Sequence, residues 1–187
     1  AARSAGFDAM FCNLLMNDLE LPARCVEFAA AADVLEHLPT ECDAVTVIRR
    51  LAHAAREFLL IRHPSFEDVD YLANLGVRLN WTDWTDHTNM LKLDDFRRIF
   101  AELGLTDYVI VPHMLYTDSS HDSVVPLSTP PDTVRYDPEA HGPKPMVAFD
   151  RPVWGKFDIF VRLDPAIDDA AWQRITSVDG WEAHWEF

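Results

Sequence analysis

Two short stretches hold the side chains most suited to chemistry. Residues 29–38, AAAADVLEHL, run four alanines into Asp33 and then set Glu36 beside His37. Residues 80–89, NWTDWTDHTN, place two Trp, two Asp, three Thr and one His within ten positions. An unperturbed histidine has a pKa of about 6.5, so it can accept a proton at cellular pH. His87 is therefore a candidate general base, oriented by Asp83 or Asp86. Trp81, Trp84 and Asp86 would wall an acceptor pocket, because loops rarely expose two indoles without purpose. A structural role stays open: Trp81 and Trp84 anchoring the loop on the core, with His87 bonded to backbone. Asp83, Asp86 and His87 are also possible metal ligands, but no HxH or HxxxH spacing supports this and no metal is expected. In the first stretch, the alanines would let a ligand approach closely, or they fill core space. Glu36 suits the start of a helix whatever the function. His37 either faces a ligand or only caps.

Composition narrows the classes. Sixteen Lys+Arg against 31 Asp+Glu give a net charge of −15 over 187 residues. Arg49-Arg50 and Arg97-Arg98 are isolated pairs, so no basic patch opposes the repulsion of a phosphate backbone, and nucleic acid is not an expected partner. No apolar run approaches the roughly 20 residues that span a bilayer, so no membrane contact is expected either. Cys12, Cys25 and Cys42 are odd in number and lack CxxC spacing, which suits a reducing cytoplasm. With no GxSxG and no evident Cys–His pair, nucleophilic hydrolysis has no support.

The elements that must position these residues follow from apolar patterning. FDAMFC (7–12) predicts a short strand. VEFAAAA (26–32) predicts a second, buried on both faces because its apolar run barely alternates. Thr40 followed by Asp43 is a capping-box pattern, and Val45, Ile48, Ala52 and Ala55 recur at helical spacing, so a helix is expected over about 43–56. EFLLIRHP (57–64) predicts a third strand. Asp94-Asp95 open a helix to 103, with Gly104 as its C-cap. DYVIVPHMLY (107–116) and VWGKFDIFVRL (153–163) are further strands, the latter in a hairpin or edge position. Strands alternating with helices imply an α/β fold with a mainly parallel sheet, whose ligands bind at the carboxyl ends of the strands. Asn13, Asp33 and the loop from His63 follow such strands. Residues 117–145, rich in Pro, Asp and Ser, form a long insertion that is either functional or merely solvated.

The ordered segments resemble class I S-adenosylmethionine-dependent methyltransferases of the type 11/23 kind. VEFAAAADVLEHLP is similar to the family's fourth strand and the turn into its helix. FDAMFCNLLMNDLELP is similar to the third strand and adenine loop, and EFLLIRHPSF to the fifth strand. DHTNMLKLDDFRRIFAELGL resembles the segment before the sixth strand. DYVIVPHMLY and VWGKFDIFVRL resemble strands six and seven, the antiparallel pair. The similarity covers roughly residues 5–163. The family's Gly-rich turn, E/D-x-G-x-G-x-G, has no counterpart among the six glycines. The sequence therefore resembles the carboxyl two-thirds of such an enzyme, and with no initiator Met it is expected to begin inside a longer chain.

The resemblance implies a Rossmann-like α/β fold lacking the first βαβα part. The methyltransferase-like region would span 1–165, with 166–187 as a C-terminal extension. S-adenosylmethionine is the implied cofactor, with Asn13 and Leu14 beside the adenine and Ala31, Ala32, Asp33 and His37 on the methionine and methyl side. The implied reaction is methyl transfer to a small-molecule acceptor, on oxygen, in the cytoplasm. The alternative is a non-catalytic methyltransferase-like fragment acting as a binding or assembly module. A homodimer is the protein assembly considered.

Overall fold

The computed structural model describes residues 13–15 and 21–177. The strand expected at 7–12 lies outside the described residues. In chain order the elements are β1 (Val26–Ala32), α1 (Glu41–Ala54), β2 (Ala55–Pro64), α2 (Val69–Asn74), β3 (Val77–Leu79), α3 (Leu93–Leu103), β4 (Tyr108–Asp118), β5 (Val124–Pro126), α4 (Pro138–His141), β6 (Ala148–Arg162) and α5 (Asp169–Thr176). Two 3-10 turns, Leu35–His37 and Asn80–Asp83, follow β1 and β3.

The main sheet has the order β1-β2-β6-β4. β1 and β2 are parallel, and β6 runs antiparallel to both its neighbours β2 and β4. Among the described residues three of the four strands of this sheet therefore point one way, and the reversed strand lies between two of them. This is the expected α/β sheet with an antiparallel C-terminal pair. β6 is not at an edge, however. Its alternation reflects polar residues placed inside the sheet: Asp158 opposite Arg62, and Lys156 opposite Pro64 at the carboxyl end of β2. β4 takes the edge, which is why Pro112 is tolerated within it.

Local chemistry sets the helix boundaries. Thr40 caps α1, its hydroxyl accepting from the Asp43 backbone N–H. The helix stops at Ala54 rather than 56 because Ala55 already pairs with Val26 across the β1–β2 ladder. α3 ends on Gly104 with φ 70°, the left-handed cap that its sequence indicates.

α1 and α3 cover one face of the sheet, burying Val47, Ile48, Phe96, Ile99 and Phe100 against Leu59, Ile61 and Ile159. α5 covers part of the other face, with Trp172 on Leu60 and Phe160. β2 is thus apolar on both faces, as its sequence suggests. β1 is not: Ala29 and Ala31 are buried, whereas Phe28, Ala30 and Ala32 are exposed. The second helical layer lies over β2 and β6, and among the described residues it does not extend across β1. A smaller sheet of β3 and β5 packs with α2 around Phe66, Leu72, Trp81 and Tyr116. The 117–145 insertion is therefore folded: it contributes β5 and the short α4.

A buried ion pair staples the sheet centre. Arg62 Nε and Nη2 donate to Asp158 Oδ1 and Oδ2 at 2.8 and 2.7 Å, and His113 Nε2 lies 3.5 Å from Oδ1. The longer contact is electrostatic, since His113 Nε2 has no formed hydrogen bond. Burial pushes the Asp158 carboxyl up, but Arg62 and His113 together hold it below the usual carboxylate range. A depressed carboxylate pKa stabilises the fold above its unfolded value, near 4, and that contribution is lost as pH falls through the folded value. Asp158→Asn is expected to cost about 3 kcal/mol at pH 7, the low end for a broken buried pair because Arg62 keeps some solvent. The same variant should lose less stability than wild type on acidification below pH ~4. Urea titrations at the two pH values check both expectations.

Candidate active site

The site forms where the two chemistry-bearing stretches meet at the carboxyl ends of β1 and β2. Asp33 leaves β1 in a left-handed conformation, φ 51°, its N–H donating to the Arg62 carbonyl at 3.1 Å. That reversal drops the chain into the Leu35–His37 turn. Asn89 grips the turn from the second stretch. Its backbone N–H donates to the Glu36 carbonyl at 3.0 Å, and its side-chain amide donates to the Leu35 carbonyl at 3.0 Å. Thr88 Oγ1 adds a bond to the Leu38 carbonyl at 2.9 Å. Residues 50 to 54 positions apart are thereby held in register.

A pocket opens between them. Asp33, Glu36, His37, Pro64, Trp81, Trp84, His87 and Lys156 line it. Its volume is about 180 Å³, below the ~300–1,000 Å³ of typical drug-sized ligand sites. It suits a small reacting group.

His87 is buried, and its Nδ1 lies 2.9 Å from the Trp81 carbonyl. A carbonyl only accepts, so Nδ1 carries the hydrogen and Nε2 is left with a free lone pair. Burial is the main influence on its pKa and pulls it below the ordinary histidine value; nearby Glu36 opposes this, and His37 adds to it. His87 is thus a neutral imidazole near pH 7, in the tautomer of a proton acceptor. Its edge meets His37 at 4.8 Å between ring centroids. His37 Nδ1 contacts the Asp86 carbonyl at 3.2 Å and Asp86 Oδ2 at 3.3 Å.

Glu36 does not open a helix. It lies in the 3-10 turn, 1% exposed, with Oε2 3.5 Å from Nδ1 of the fully buried His63. No formed hydrogen bond joins them, for both atoms lack a hydrogen-bond partner. Burial pushes the Glu36 carboxyl up, yet His63, its own backbone N–H and His37 outweigh it, and the carboxyl lies below the ordinary value. At the pocket mouth Lys156 Nζ donates to Asp33 Oδ1 and Oδ2 at 2.9 and 2.7 Å.

The remaining sequence candidates separate. Trp81 is a buried anchor, its Nε1 donating to the Ser65 carbonyl at 3.1 Å, while Trp84 donates to the Thr133 carbonyl at 3.2 Å. Both still present surface to the pocket, so anchoring and lining coincide. Asp86 points outward, 68% exposed at the side chain, and orients His37. Asp83 pairs with Arg78 at 2.9 Å, which removes it from the cation set considered with Asp86 and His87. Ala31 faces the core and Ala32 stands exposed at the strand end. Asn13 and Leu14 lie outside the pocket lining: Asn13 Oδ1 accepts from the Leu15 N–H, and the Leu14 carbonyl accepts from Arg50. Cys25 and Cys42 are free and exposed.

The sequence reading passed over Lys156 and the Glu36–His63 pair. In the sequence His63 marks the start of a candidate loop after a strand, but nothing there pairs it with Glu36. Lys156 reaches the site because β6 pairs with β2 so that Lys156 falls opposite Pro64, a register that no local pattern encodes.

The insertion braces this pocket. Asp132, at φ 61°, accepts from the Thr85 N–H at 2.7 Å and from its hydroxyl at 3.2 Å. Arg78 donates to the Thr129 and Pro130 carbonyls at 2.8 and 3.2 Å. Asn80 donates to the Val134 carbonyl.

No protein-family model matches the chain, and no curated protein matches it. Among solved structures, a SAM-dependent methyltransferase from Archaeoglobus fulgidus aligns with a TM-score of 0.55, covering 84% of this chain and 68% of that one at 11% identity. The two chains share a fold. That likeness reaches the arrangement of strands and helices and stops there. Among the described residues no helix is long and apolar enough to cross a membrane.

Gly155 gives a direct test of how the pocket wall is packed. A Cβ there would lie 2.9 Å from Met114 Cβ, 3.0 Å from Tyr116 Cε2 and 3.3 Å from Trp81 Cη2. Met114 Cβ cannot rotate away, so Gly155→Ala must shift backbone or Trp81. We expect a loss of about 1–3 kcal/mol, as for an overpacked core, with a changed indole fluorescence. A denaturant midpoint equal to that of wild type would contradict this packing.

Proposed function

We propose that the chain serves S-adenosylmethionine-dependent methyl transfer to the oxygen of a small-molecule acceptor. The observation that carries this reading is His87: a buried imidazole whose Nδ1–H is committed to the Trp81 carbonyl, with Nε2 free at a pocket on the carboxyl edge of the sheet. The shared fold with a methyltransferase supports it.

The described residues fit the methyl-donor end of such a cofactor. Ala32 leaves the end of β1 uncovered, and the pocket beyond Asp33 has room for a small group. In this reading Ala31, Ala32, Asp33 and His37 flank the methionine and methyl end, and Asn13 and Leu14 flank the adenine. Such a cofactor would supply an electrophilic methyl carbon on a sulfonium, with the neutral thioether as leaving group. A hydroxyl acceptor must also lose its proton. His87 Nε2 takes it, and the imidazolium formed is stabilised by nearby Glu36 before solvent removes the proton. Trp81 and Trp84 exclude water and align the acceptor. Lys156 keeps the Asp33 carboxylate fixed at the mouth.

Two variants test the reading. His87→Ala should lower turnover by about 10²–10⁴-fold, the usual worth of a positioned base, with unchanged affinity for S-adenosylhomocysteine by calorimetry. Loss of thermal stability with unchanged turnover per folded molecule would make His87 structural. Ala32→Leu fills exposed space at the strand end without entering the core, so it should abolish cofactor binding in a folded protein. Undiminished binding in that variant removes Ala32 from the cofactor site. Absence of S-adenosylhomocysteine affinity in the folded, intact protein favours the binding-module alternative.

A further inference from the structure

We propose that Glu36, His37 and His87 form a binding site for a divalent first-row transition metal ion. One ligand atom from each residue lies within 4.8 Å of the others, and Glu36 and His87 are buried. Two imidazoles and one carboxylate are the donor set taken by ions of borderline softness such as Zn²⁺, Co²⁺ or Fe²⁺, with positions left open for exchangeable ligands. Metal–ligand bonds of about 2.0–2.2 Å require the three atoms to draw closer than they now stand. His37, whose Nε2 lies 3.9 Å from Glu36 Oε1, is the partly exposed member, so its ring meets the least packing on that approach.

Two independent features point to a cation. Each imidazole already has its other nitrogen engaged: His87 Nδ1 with the Trp81 carbonyl, and His37 Nδ1 with the carbonyl and carboxylate of Asp86. Metal-ligating histidines are held in this way, because the outer partner fixes the tautomer and presents the remaining lone pair. Glu36, moreover, is 1% exposed; its Oε2 faces buried His63 without a formed hydrogen bond, and its Oε1 is turned to His37 Nε2 at 3.9 Å. A buried carboxylate with unmet acceptor capacity is suited to receive a donor or a cation. Sequence spacing hid the set, since Glu36 and His37 are adjacent and His87 comes 50 residues later, brought in by Asn89.

The metal site does not rest on the methyl-transfer reading; only its use there does. With an ion bound, a hydroxyl acceptor beside it loses its proton to solvent more readily, and His87 serves as ligand rather than base. Chelator-sensitive turnover therefore tests the combination, whereas metal binding tests the site alone.

The experiment uses the full chain, stripped with a chelator and titrated with Co²⁺ by visible absorption and with Zn²⁺ by calorimetry. One ion per chain is expected, with d–d bands in the Co²⁺ form. His37→Ala removes the most exposed ligand and should fold; it is expected to weaken Co²⁺ binding at least tenfold. Asp86→Asn, which acts through His37, should weaken it by roughly 10-fold. His53→Ala, on α1 away from the site, should bind as wild type. Absence of stoichiometric binding overturns the proposal, as does binding undiminished in His37→Ala. Displacement of Co²⁺ by a tenfold excess of Mg²⁺ overturns the assigned metal class. A chain that binds the ion but transfers no methyl group leaves the site standing and removes the methyl-transfer reading.

Discussion

Asn89 holds the pocket together. A 3-10 turn directly after a strand leaves carbonyls pointing away from the ladder, and buried carbonyls must find donors. Asn89 supplies two of them, to Leu35 and Glu36, and Thr88 supplies a third, to Leu38. The consequence reaches beyond hydrogen-bond satisfaction. With the turn clamped, Glu36 is driven inward onto His63 while His37 stays at the surface against His87. Neighbouring residues thus acquire opposite environments, one fully buried and one half-exposed. That division gives the pocket a carboxylate at its floor and a partly exposed imidazole at its lip.

Charge around the pocket is arranged locally rather than inherited from the net −15. Lys156 neutralises Asp33 at the mouth, and Arg62 neutralises Asp158 one step deeper in the same β2–β6 ladder. Both cations cross strand boundaries, so the sheet register and the site electrostatics are a single constraint. A one-residue slip of β6 would move Lys156 away from Asp33 and Asp158 away from Arg62 together. Strand pairing here positions chemistry as well as providing stability.

Much of the sheet was legible in the sequence, because continuous apolar strands and capped amphipathic helices are local signals. β2, α1 and α3 fall within two residues of their expected bounds. Two features of the sheet were not local. β1 read as buried on both faces because alanine looks apolar wherever it lies, and only the extent of the covering helix decides its exposure. β6 read as an edge because Lys156 and Asp158 interrupt its apolar pattern, yet both are matched across the ladder. Within the site, the Trp81–His87 loop and the Asp33–His37 turn were separately visible. Their contact was not, for it depends on Asn89, which has no pattern to mark it. The opposed readings of Trp81 and His87 also merge. The indole that anchors the loop is the one that walls the pocket, and the backbone bond that makes His87 look structural is the one that sets its tautomer.

The 117–145 insertion acquires a physical role on the same grounds. Its Pro- and Ser-rich composition resembles a solvated loop, but Lys144 collects three of its carbonyls, those of Ser120, His121 and Val124, and lies over the Tyr136 ring. Burial pulls the Lys144 ammonium below its usual pKa, with Asp122 and Asp118 opposing, and its three bonds close the insertion on itself. From that closed frame Asp132, Thr133 and Val134 reach back to Thr85, Trp84 and Asn80. The outer wall of the pocket is therefore fixed by backbone groups of the insertion, while the inner wall is fixed by Asn89. A change of insertion sequence that keeps these carbonyls and the Asp132 carboxylate in place leaves the pocket intact. A change that moves them alters which acceptor fits, without touching His87 or Glu36. Shape selection and chemistry are separated in this fold between two segments of the chain.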